Sequence, residues 1–433
     1  MKRMTTAATA LLLILAILTA LCGFTRSDAC FWKSSKKGSG TSTDLTGAGS
    51  TLTIQKTDKR EALSNSVATL NNALFDKAVS GKNVFYSPYS ILGCLLLADA
   101  GAAGNTKAQM EQVLGITDLP EVLTEYNSYR TQNPPESAKL TTANALWINT
   151  AVLGDGEVRP AYLSTVKSYL GATVRSEAFS SKTPEEISKW VKQNTGGLIS
   201  DYKPIVQEDA AMDLLNAVYF DGKWDIPFPH EGTARQTFTN LDGSTVKTSL
   251  MTQSGKQFRL YEKDGLRGLE LPYKDSSVVM DLILTADEKD RDTAKAWKTI
   301  TASDRTAFLQ GIDRADRRNI NVLTLPKFEN DLSLDGLKDM LVELGMSDLF
   351  SARADLSGIS DHSLCASDIA HRAKIQVDEE GSRAAAVTEM MLSETALLIS
   401  EWTEFRCDRP FVYLIRDKDS GVVLFTGVYN TAK

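Results

Sequence analysis

The stretch Glu379–Pro410, EEGSRAAAVTEMMLSETALLISEWTEFRCDRP, has an unusual composition for a segment of its length. After Gly381 it contains neither glycine nor proline until its last residue, although surface loops are normally interrupted by both. In its first half, alternate positions are uncharged and mostly small, whereas Arg383 and Glu389 fall on the other parity. This alternation is typical of a strand with one buried face. We therefore expect the segment to be able to join a β-sheet; an alanine-rich helix is the alternative.

The composition of the whole chain predicts a folded protein with a large core. Of its 433 residues, 42% are hydrophobic and 24% are charged, as in soluble globular proteins. The net charge is -7, and no run of five or more Lys or Arg residues occurs, so we expect neither nucleic acid nor heparin as a partner. The five cysteines show no paired metal-ligand spacing. We expect no metal and no cofactor.

The N-terminus has the layout of an export signal. Met1–Arg3 is basic and Ala10–Leu21 is almost wholly apolar, which indicates a secretory signal peptide over residues 1–22. A membrane anchor is the alternative, although the apolar run is shorter than the about 20 residues that span a bilayer. Cys22 leaves open a lipoprotein-type signal, despite the large residue before it. We expect a secreted, extracellular or surface-anchored protein, and the lack of any Asn-x-Ser/Thr acceptor favours a bacterial exporter.

A polar tether is expected between this signal and the folded domain. Residues 23–58 are rich in Ser, Thr, Gly and Lys, which is the composition of a flexible linker. The domain is expected to occupy residues 59–433. It begins with an amphipathic helix, because apolar residues recur there at helical spacing: Leu63, Val67, Leu70 and Leu74.

The sequence lacks the usual parts of an enzyme active site. It contains only three histidines, His230, His362 and His371, and no HExxH, GxSxG, CxxC or paired-carboxylate motif. His371 falls in an expected strand, where a hydrogen-bonded core histidine is the better interpretation than a catalytic base. We expect that the protein is not an enzyme.

Motifs along the chain occur in the order found in the serpin family. They are NVFYSPYSI (83–91), GAAGNTKAQMEQVLG (101–115), ANALW (143–147), LLNAVYFDGKWDIPF (214–228), LELPYK (269–274), LTLPKF (323–328), ADLSGIS (354–360), AKIQVDEEGSRAAAVTE (373–389) and DRPFVYLIRDKDSGVVLFTGVYN (408–430). Because they cover nearly all of residues 59–433, the chain resembles a serpin. The resemblance implies a single α+β domain with the serpin fold, three β-sheets, about nine helices and an exposed reactive-centre loop at about residues 379–409.

The resemblance assigns structural roles to two groups of residues. Glu379 and Lys327 match the ion pair at the top of the main sheet, the breach, near Trp224, where we expect the pair to pin the entry to the loop. Another group matches the shutter, a polar cluster beneath the sheet where serpin strands part. Buried polar groups must be paired, so this cluster can hold the strands closed and pair again after they open. The shutter residues are Ser87, Ser90, Asn216 and His371.

The resemblance assigns the activity to the loop. A target serine protease attacks the scissile carbonyl and forms an acyl-enzyme. The cleaved loop then inserts into the main sheet as a new strand, a mode of strand addition for which serpins are a known example. The hinge that enters first must be small, and it comprises Glu379, Glu380, Gly381, Ser382, Arg383, Ala384, Ala385, Ala386, Val387 and Thr388.

The scissile bond can be placed only by family spacing. Counting from the hinge, as inhibitory serpins usually run, gives Thr395–Ala396, which suits an elastase- or subtilisin-like protease. The shortest family spacing from the C-terminal side gives a bond near Ile399, so Leu397 and Leu398 stay open. A leucine at the cut would suit a chymotrypsin-like protease.

We therefore expect a secreted or surface-tethered monomer that traps an extracellular serine protease in a covalent complex, as a suicide substrate. The first alternative keeps the fold but not the inhibition, and is a binding or chaperone serpin. It is disfavoured because the buried parity of the hinge carries no bulky, charged or proline residue. The second alternative, an exported hydrolase, would need a nucleophile–histidine pair. Heparin activation is disfavoured because Leu119–Lys139 contains only two basic residues.

Overall fold

A computed structural model describes residues 42–132, 135–197, 199–200, 202–382 and 402–432. Within these ranges the chain forms one mixed α+β domain. Its α-helices are α1 (Glu61–Ala78), α2 (Pro88–Asp99), α3 (Gly104–Leu114), α4 (Leu119–Arg130), α5 (Thr150–Leu153), α6 (Pro160–Thr165), α7 (Thr183–Asn194), α8 (Thr293–Thr299), α9 (Ala302–Arg314) and α10 (Leu337–Glu343).

The strands of the described residues form three sheets. They are β1 (Thr43–Asp44), β2 (Val84–Tyr86), β3 (Ala138–Asn149), β4 (Thr173–Glu177), β5 (Met212–Lys223), β6 (Ala234–Thr239), β7 (Thr245–Gln253), β8 (Lys256–Lys263), β9 (Leu266–Pro272), β10 (Val278–Thr285), β11 (Arg317–Ile320), β12 (Val322–Pro326), β13 (Phe328–Ser333), β14 (Ala366–Val377), β15 (Gly381–Ser382), β16 (Glu404–Arg406), β17 (Phe411–Asp417) and β18 (Val423–Tyr429). The main sheet has the order β1-β4-β3-β5-β14-β13, with β15 paired to β5. The second sheet has the order β11-β8-β9-β10-β17-β18-β2, and the third β16-β12-β7-β6.

The first helices form where the sequence predicts them. The apolar stripe of α1 is wholly buried, as its helical spacing requires. The side chain of Ser87 accepts a hydrogen bond from the backbone N–H of Ser90, and Pro88 occupies the first turn of α2. A serine cap followed by proline is a strong start signal, because proline has no N–H to leave unpaired there. Every residue of α2 is buried, so this helix lies inside the molecule.

The central strand of the main sheet is covered on both faces. On one face, Leu214 and Val218 of β5 belong to the large core that the main and second sheets enclose with α1 and α2. On the other face, Leu215 and Ala217 pack in a smaller cluster with Trp190 of α7. Two covered faces make the strand a nearly continuous buried run. Residues 212–220 of β5 therefore have no solvent-exposed face, whereas Asp221 and Lys223 at its upper end are at least partly exposed.

The segment before α1 differs from the predicted tether over residues 42–58. Strand β1 pairs antiparallel with β4 and so extends the edge of the main sheet. Farther along, Ser50 N–H donates to the hydroxyl of Ser164 at 3.0 Å, and Leu52 N–H donates to the hydroxyl of Ser168 at 2.8 Å. These contacts hold the segment against α6 and the helical turn that follows it. The signal-peptide prediction and the rest of the tether lie outside the described residues.

No helix among the described residues combines the length and apolarity that a membrane crossing requires.

Candidate functional site

The seam is the line along which β5 and β14 pair, and it leads directly to the predicted loop. The two strands are parallel and pair from Met212 and Ala366 up to Tyr219 and Lys374. The pairing of β14 with β5 ends at Tyr219, the chain turns back after Val377, and β15 pairs antiparallel with Gly222 and Lys223 of β5. The first two small hinge residues thus form a short strand at the upper end of the seam.

This short strand is tightly fitted. A Cβ atom on Gly381 would lie 2.0 Å from the carbonyl oxygen of Gly222, so only glycine can occupy the position. The side chain of Ser382 is fully buried, and its hydroxyl lies 2.5 Å from the phenol oxygen of Tyr273. Burial raises the pKa of Tyr273 far above its usual value, so the phenol keeps its proton. Tyr273 in turn stacks on Trp224 with ring centroids 4.7 Å apart.

The turn between β14 and β15 is closed by Asp378. Its carboxylate accepts hydrogen bonds from the backbone N–H groups of Glu380 at 3.0 Å and Gly381 at 3.2 Å. Its carbonyl oxygen accepts from the indole N–H of Trp224 at 3.0 Å. Burial raises the pKa of this carboxyl, and the two backbone hydrogen bonds oppose that shift. The turn therefore has a fixed shape, set by one side chain and one indole.

Glu379 and Lys327 form the ion pair that the resemblance implies. The Lys327 ammonium lies 2.8 Å from one carboxylate oxygen of Glu379, and Thr233 donates its hydroxyl to the other at 2.7 Å. Burial opposes the charge on Glu379, but these hydrogen bonds outweigh burial and hold its pKa below the usual value. The imidazole of His230 lies 4.0 Å from the same carboxylate and 3.2 Å from that of Glu380. The carboxylate is thus held in place on several sides.

The seam is crossed lower down by a histidine–asparagine contact. His371 of β14 and Asn216 of β5 lie opposite each other in the register, and His371 Nδ1 is 2.6 Å from Asn216 Oδ1. The backbone N–H of Ser87 donates to His371 Nε2 at 3.0 Å, so Nδ1 carries the proton and donates to Asn216. Burial lowers the pKa of His371 to about 3, and the ring is therefore neutral at physiological pH.

This contact is part of a longer polar chain through the core. The amide of Asn216 donates to the hydroxyl of Ser90 at 2.5 Å and to the side-chain oxygen of Asn144 at 2.7 Å. Asn144 of β3 then donates to the phenol oxygen of Tyr126 of α4 at 3.2 Å. Polar groups buried at this depth are stable only when they are paired. The network ties α2, β3 and α4 to the seam.

The structure brings together the residues of both predicted groups, and it adds five that sequence reasoning missed. Asn144 lies in the ANALW motif and Tyr273 in LELPYK. Both residues are therefore part of motifs that carry the family resemblance, but the sequence alone assigned neither of them a role. Asp378 directly precedes the predicted hinge. Thr233 and Tyr126 carry no local signal, because their contacts depend on how distant elements pack.

Several predicted positions lie outside the described residues. They are the later hinge residues and every candidate for the scissile bond: Arg383, Ala384, Ala385, Ala386, Val387, Thr388, Thr395, Ala396, Leu397, Leu398 and Ile399.

Comparison with known proteins gives consistent matches over the whole domain. A family model described as "Serpin (serine protease inhibitor)" matches residues 64–431. "Iris" from Ixodes ricinus is 32% identical over 381 residues, which are 84% of this chain and 98% of Iris. "Leukocyte elastase inhibitor" from Bos taurus is 34% identical over 360 residues, covering 80% of this chain and 92% of that protein. The crystal structure of Tengpin, a thermophilic serpin in its native state, superposes with a TM-score of 0.81 at 25% identity, covering 90% of this chain and 100% of Tengpin.

Proposed function

Because this chain belongs to the serpin family, whose members are mostly protease inhibitors rather than enzymes, we propose that it inhibits serine proteases as a suicide substrate. The observation that best supports the proposal is the pairing of Gly381 and Ser382 with β5 at the upper end of the seam. These residues run antiparallel to both neighbouring strands. A loop continuing in this direction would add a strand between β5 and β14.

The proposed reaction begins as ordinary proteolysis. The serine hydroxyl of the protease attacks the carbonyl carbon of Thr395, an ester forms, and the amine of Ala396 leaves with the C-terminal peptide. Leu397, Leu398 and Ile399 remain alternatives for the position of the cut. The ester is not hydrolysed, because insertion of the freed loop carries the attached protease away from its productive geometry. A small residue at the cut favours an elastase- or subtilisin-like target.

Insertion has a driving force of sufficient size. A loop that adds about twelve ladder hydrogen bonds gains on the order of 10 kcal/mol, at ~1 kcal/mol net for each bond. Insertion also has a cost. A new strand separates β5 from β14 and so breaks the hydrogen bond between Asn216 and His371. The cost is limited if the buried polar groups find new partners on the inserted strand.

We further propose that the protein acts outside the cell as a monomer, either secreted or held at the surface through its N-terminus. The partner is then an extracellular serine protease. The basic start and apolar run of residues 1–22 support export.

Incubation with elastase, subtilisin, chymotrypsin and trypsin, followed by denaturing gel electrophoresis, tests the proposal. We expect a band at the summed mass of inhibitor and protease, which survives denaturant because the link is covalent. Mass spectrometry of the released C-terminal peptide then identifies the scissile bond from its first residue. The control is each protease with its serine blocked beforehand by a sulfonyl fluoride, which should give no such band. Cleavage by all four proteases without a covalent band would contradict inhibition and favour a binding or chaperone serpin.

A further inference from the structure

Two aspartates face each other across the lower end of the seam. Asp213 of β5 and Asp368 of β14 are paired in the parallel register, just after an irregularity between Ala366 and Asp368. Paired residues of neighbouring strands are about 4.8 Å apart and project their side chains to the same face. The two carboxyl groups therefore lie on one side of the sheet, one on each of the strands that must separate.

Water is largely excluded from Asp213 but not from Asp368. Asp213 is only 5% exposed, whereas Asp368 is exposed. The chain before β5 passes beside Asp213, and Tyr202 and Val206 join the two aspartates in lining a cavity of about 50 Å³. Such a volume holds about one or two water molecules. Solvent therefore screens the repulsion between the two carboxylates poorly on the Asp213 side.

The charged groups around Asp213 do not neutralise the pair. Burial, followed by the charge of Asp368, raises the pKa of Asp213 to about 7. Lys338 of α10 and a hydrogen bond from the backbone of Asp368 oppose this shift but do not outweigh it. The Lys338 ammonium donates to the carbonyl oxygen of Ser367 at 2.6 Å, so part of its hydrogen-bonding capacity serves the backbone.

The remaining neighbours of the pair do not change their own charge near neutral pH. Burial raises the pKa of Tyr202 above its usual value, and its phenol stays protonated. Arg372 of β14 acts on Tyr202 from the same strand as Asp368. On the other side of Asp213, the partner residue in β3 is Trp147, which carries no charge.

We propose that Asp213 and Asp368 form a proton-controlled clasp that holds β5 to β14 when Asp213 is protonated and loosens the seam when both carboxylates are charged. The clasp would set the pH range in which the main sheet accepts an added strand. This inference rests on the proposed function, since it assumes that a strand enters the seam.

Proton linkage determines whether the closed sheet becomes more or less stable as the pH rises. The pKa of Asp213 in the closed sheet lies above the usual aspartate value of 3.8, so the closed sheet binds the proton more tightly than the unfolded chain does. The stability linked to Asp213 is therefore present at low pH and is lost as the pH rises through about 7. An inserted strand would increase the spacing of β5 and β14 from about 4.8 Å to about 10 Å and so weaken the repulsion. Insertion should be faster above pH 7 than below it.

Uptake of a synthetic peptide with the sequence of residues 382–395 tests the clasp in the full-length protein. The rate is followed by native gel electrophoresis between pH 6 and pH 8.5. We expect the wild-type rate to increase at least about fivefold over this range. Asp213→Asn, which mimics the protonated side chain, should remain slow at every pH. Asp368→Asn should move the midpoint to lower pH, because it removes the neighbouring charge.

Asp209→Asn is the matched control, because Asp209 is an exposed carboxylate just before β5 and outside the seam. It should behave like the wild type. A wild-type rate that does not depend on pH, or an Asp213→Asn rate that keeps the wild-type pH profile, overturns the clasp while leaving insertion intact. If no variant takes up peptide at any pH and loop cleavage does not raise the melting temperature, the proposed function fails, and the clasp fails with it.

Discussion

At the scale of single residues, the seam is held by a few buried polar groups that each depend on the others. Asn216 has the central position, because its amide contacts His371 on one side and Ser90 and Asn144 on the other. A hydrogen bond of this kind contributes little net stability, whereas a buried partner left unpaired costs about 1–3 kcal/mol. Removing Asn216 should therefore have a larger effect than its own bonds suggest.

We expect Asn216→Ala to lower the free energy of unfolding by about 2–4 kcal/mol, because it leaves the His371 N–H and the Asn144 carbonyl unpaired in the core. Denaturant unfolding monitored by circular dichroism measures the change. Asn65→Ala is the control, since Asn65 is exposed on α1 and its loss should cost less than about 0.5 kcal/mol. Equal effects of the two substitutions would show that the polar chain does not stabilise the native sheet.

At the scale of elements, the hinge must satisfy two requirements, and these explain why small uncharged residues occupy alternate positions along it. One parity has to fit into the large core, and the other lies on the opposite face, which is partly open at the upper end of β5, at Asp221 and Lys223. Ser382 is fully buried and contacts Tyr273, so the positions that share its parity are the ones that would enter the core. Ala384 is the next of these, and Ala385 lies on the other parity.

We expect Ala384→Arg to convert the protein from an inhibitor to a substrate, because insertion would bury an unpaired guanidinium. The number of inhibitor molecules consumed per trapped protease should rise about tenfold or more, since one buried charge costs several kcal/mol. Ala385→Arg is the matched control and should leave this stoichiometry close to that of the wild type. If both substitutions behave alike, the loop does not insert with the parity of Ser382.

The N-terminal segment is an element whose contacts require close packing at one glycine. A Cβ atom on Gly49 would lie 2.7 Å from the carbonyl carbon of Leu163, whereas one on Gly47 would have nothing within 4 Å. Because the two glycines are only two residues apart, comparing substitutions at them separates the effect of close packing from that of local chain flexibility.

We expect Gly49→Val to displace the segment from α6 and to reduce stability by about 1–3 kcal/mol, as overpacked sites usually do. Gly47→Val should be close to neutral. Thermal unfolding, together with protease sensitivity of the segment around Ser50 and Leu52, gives the comparison. Equal melting temperatures for the two variants would mean that the segment adds nothing to the stability of the domain.

At the scale of the whole molecule, the proposed function requires a native state that is not the most stable arrangement of the chain. Among the described residues, the first two small hinge residues pair with β5 at the seam, and a full added strand would contribute on the order of 10 kcal/mol. Inhibition by insertion therefore depends on energy retained in the folded protein. We propose that the shutter and the breach are the contacts that keep the seam closed.

Cleavage within the loop should raise the melting temperature by about 20 °C or more, because a gain of this size shifts the unfolding of a large domain by about 2 °C for each kcal/mol. Differential scanning calorimetry of intact and cleaved protein tests this expectation. Protein nicked in the polar segment before α1 serves as the control for a broken chain. An unchanged melting curve after loop cleavage would mean that the native fold is not metastable.

The sequence was sufficient for the serpin fold, because its motifs are local and ordered along the chain. The shutter and the breach stay predictions, although the structure places their residues in contact. The sequence was insufficient for contacts that depend on register or distant packing. Asp213 and Asp368 meet only because two parallel strands pair in one register. The contacts of residues 42–58 were not predicted either, since a Ser- and Gly-rich segment has no apolar stripe to indicate a docking face.

The stack of Trp224 on Tyr273 places an intrinsic fluorescence probe beside the hinge. The indole N–H is bonded to the turn that begins the loop, and the phenol touches the last described hinge residue. Indole emission responds to neighbouring dipoles and to lost hydrogen bonds. Movement of the hinge should therefore change the fluorescence emission of Trp224. Insertion of the loop could then be followed in real time without an attached label.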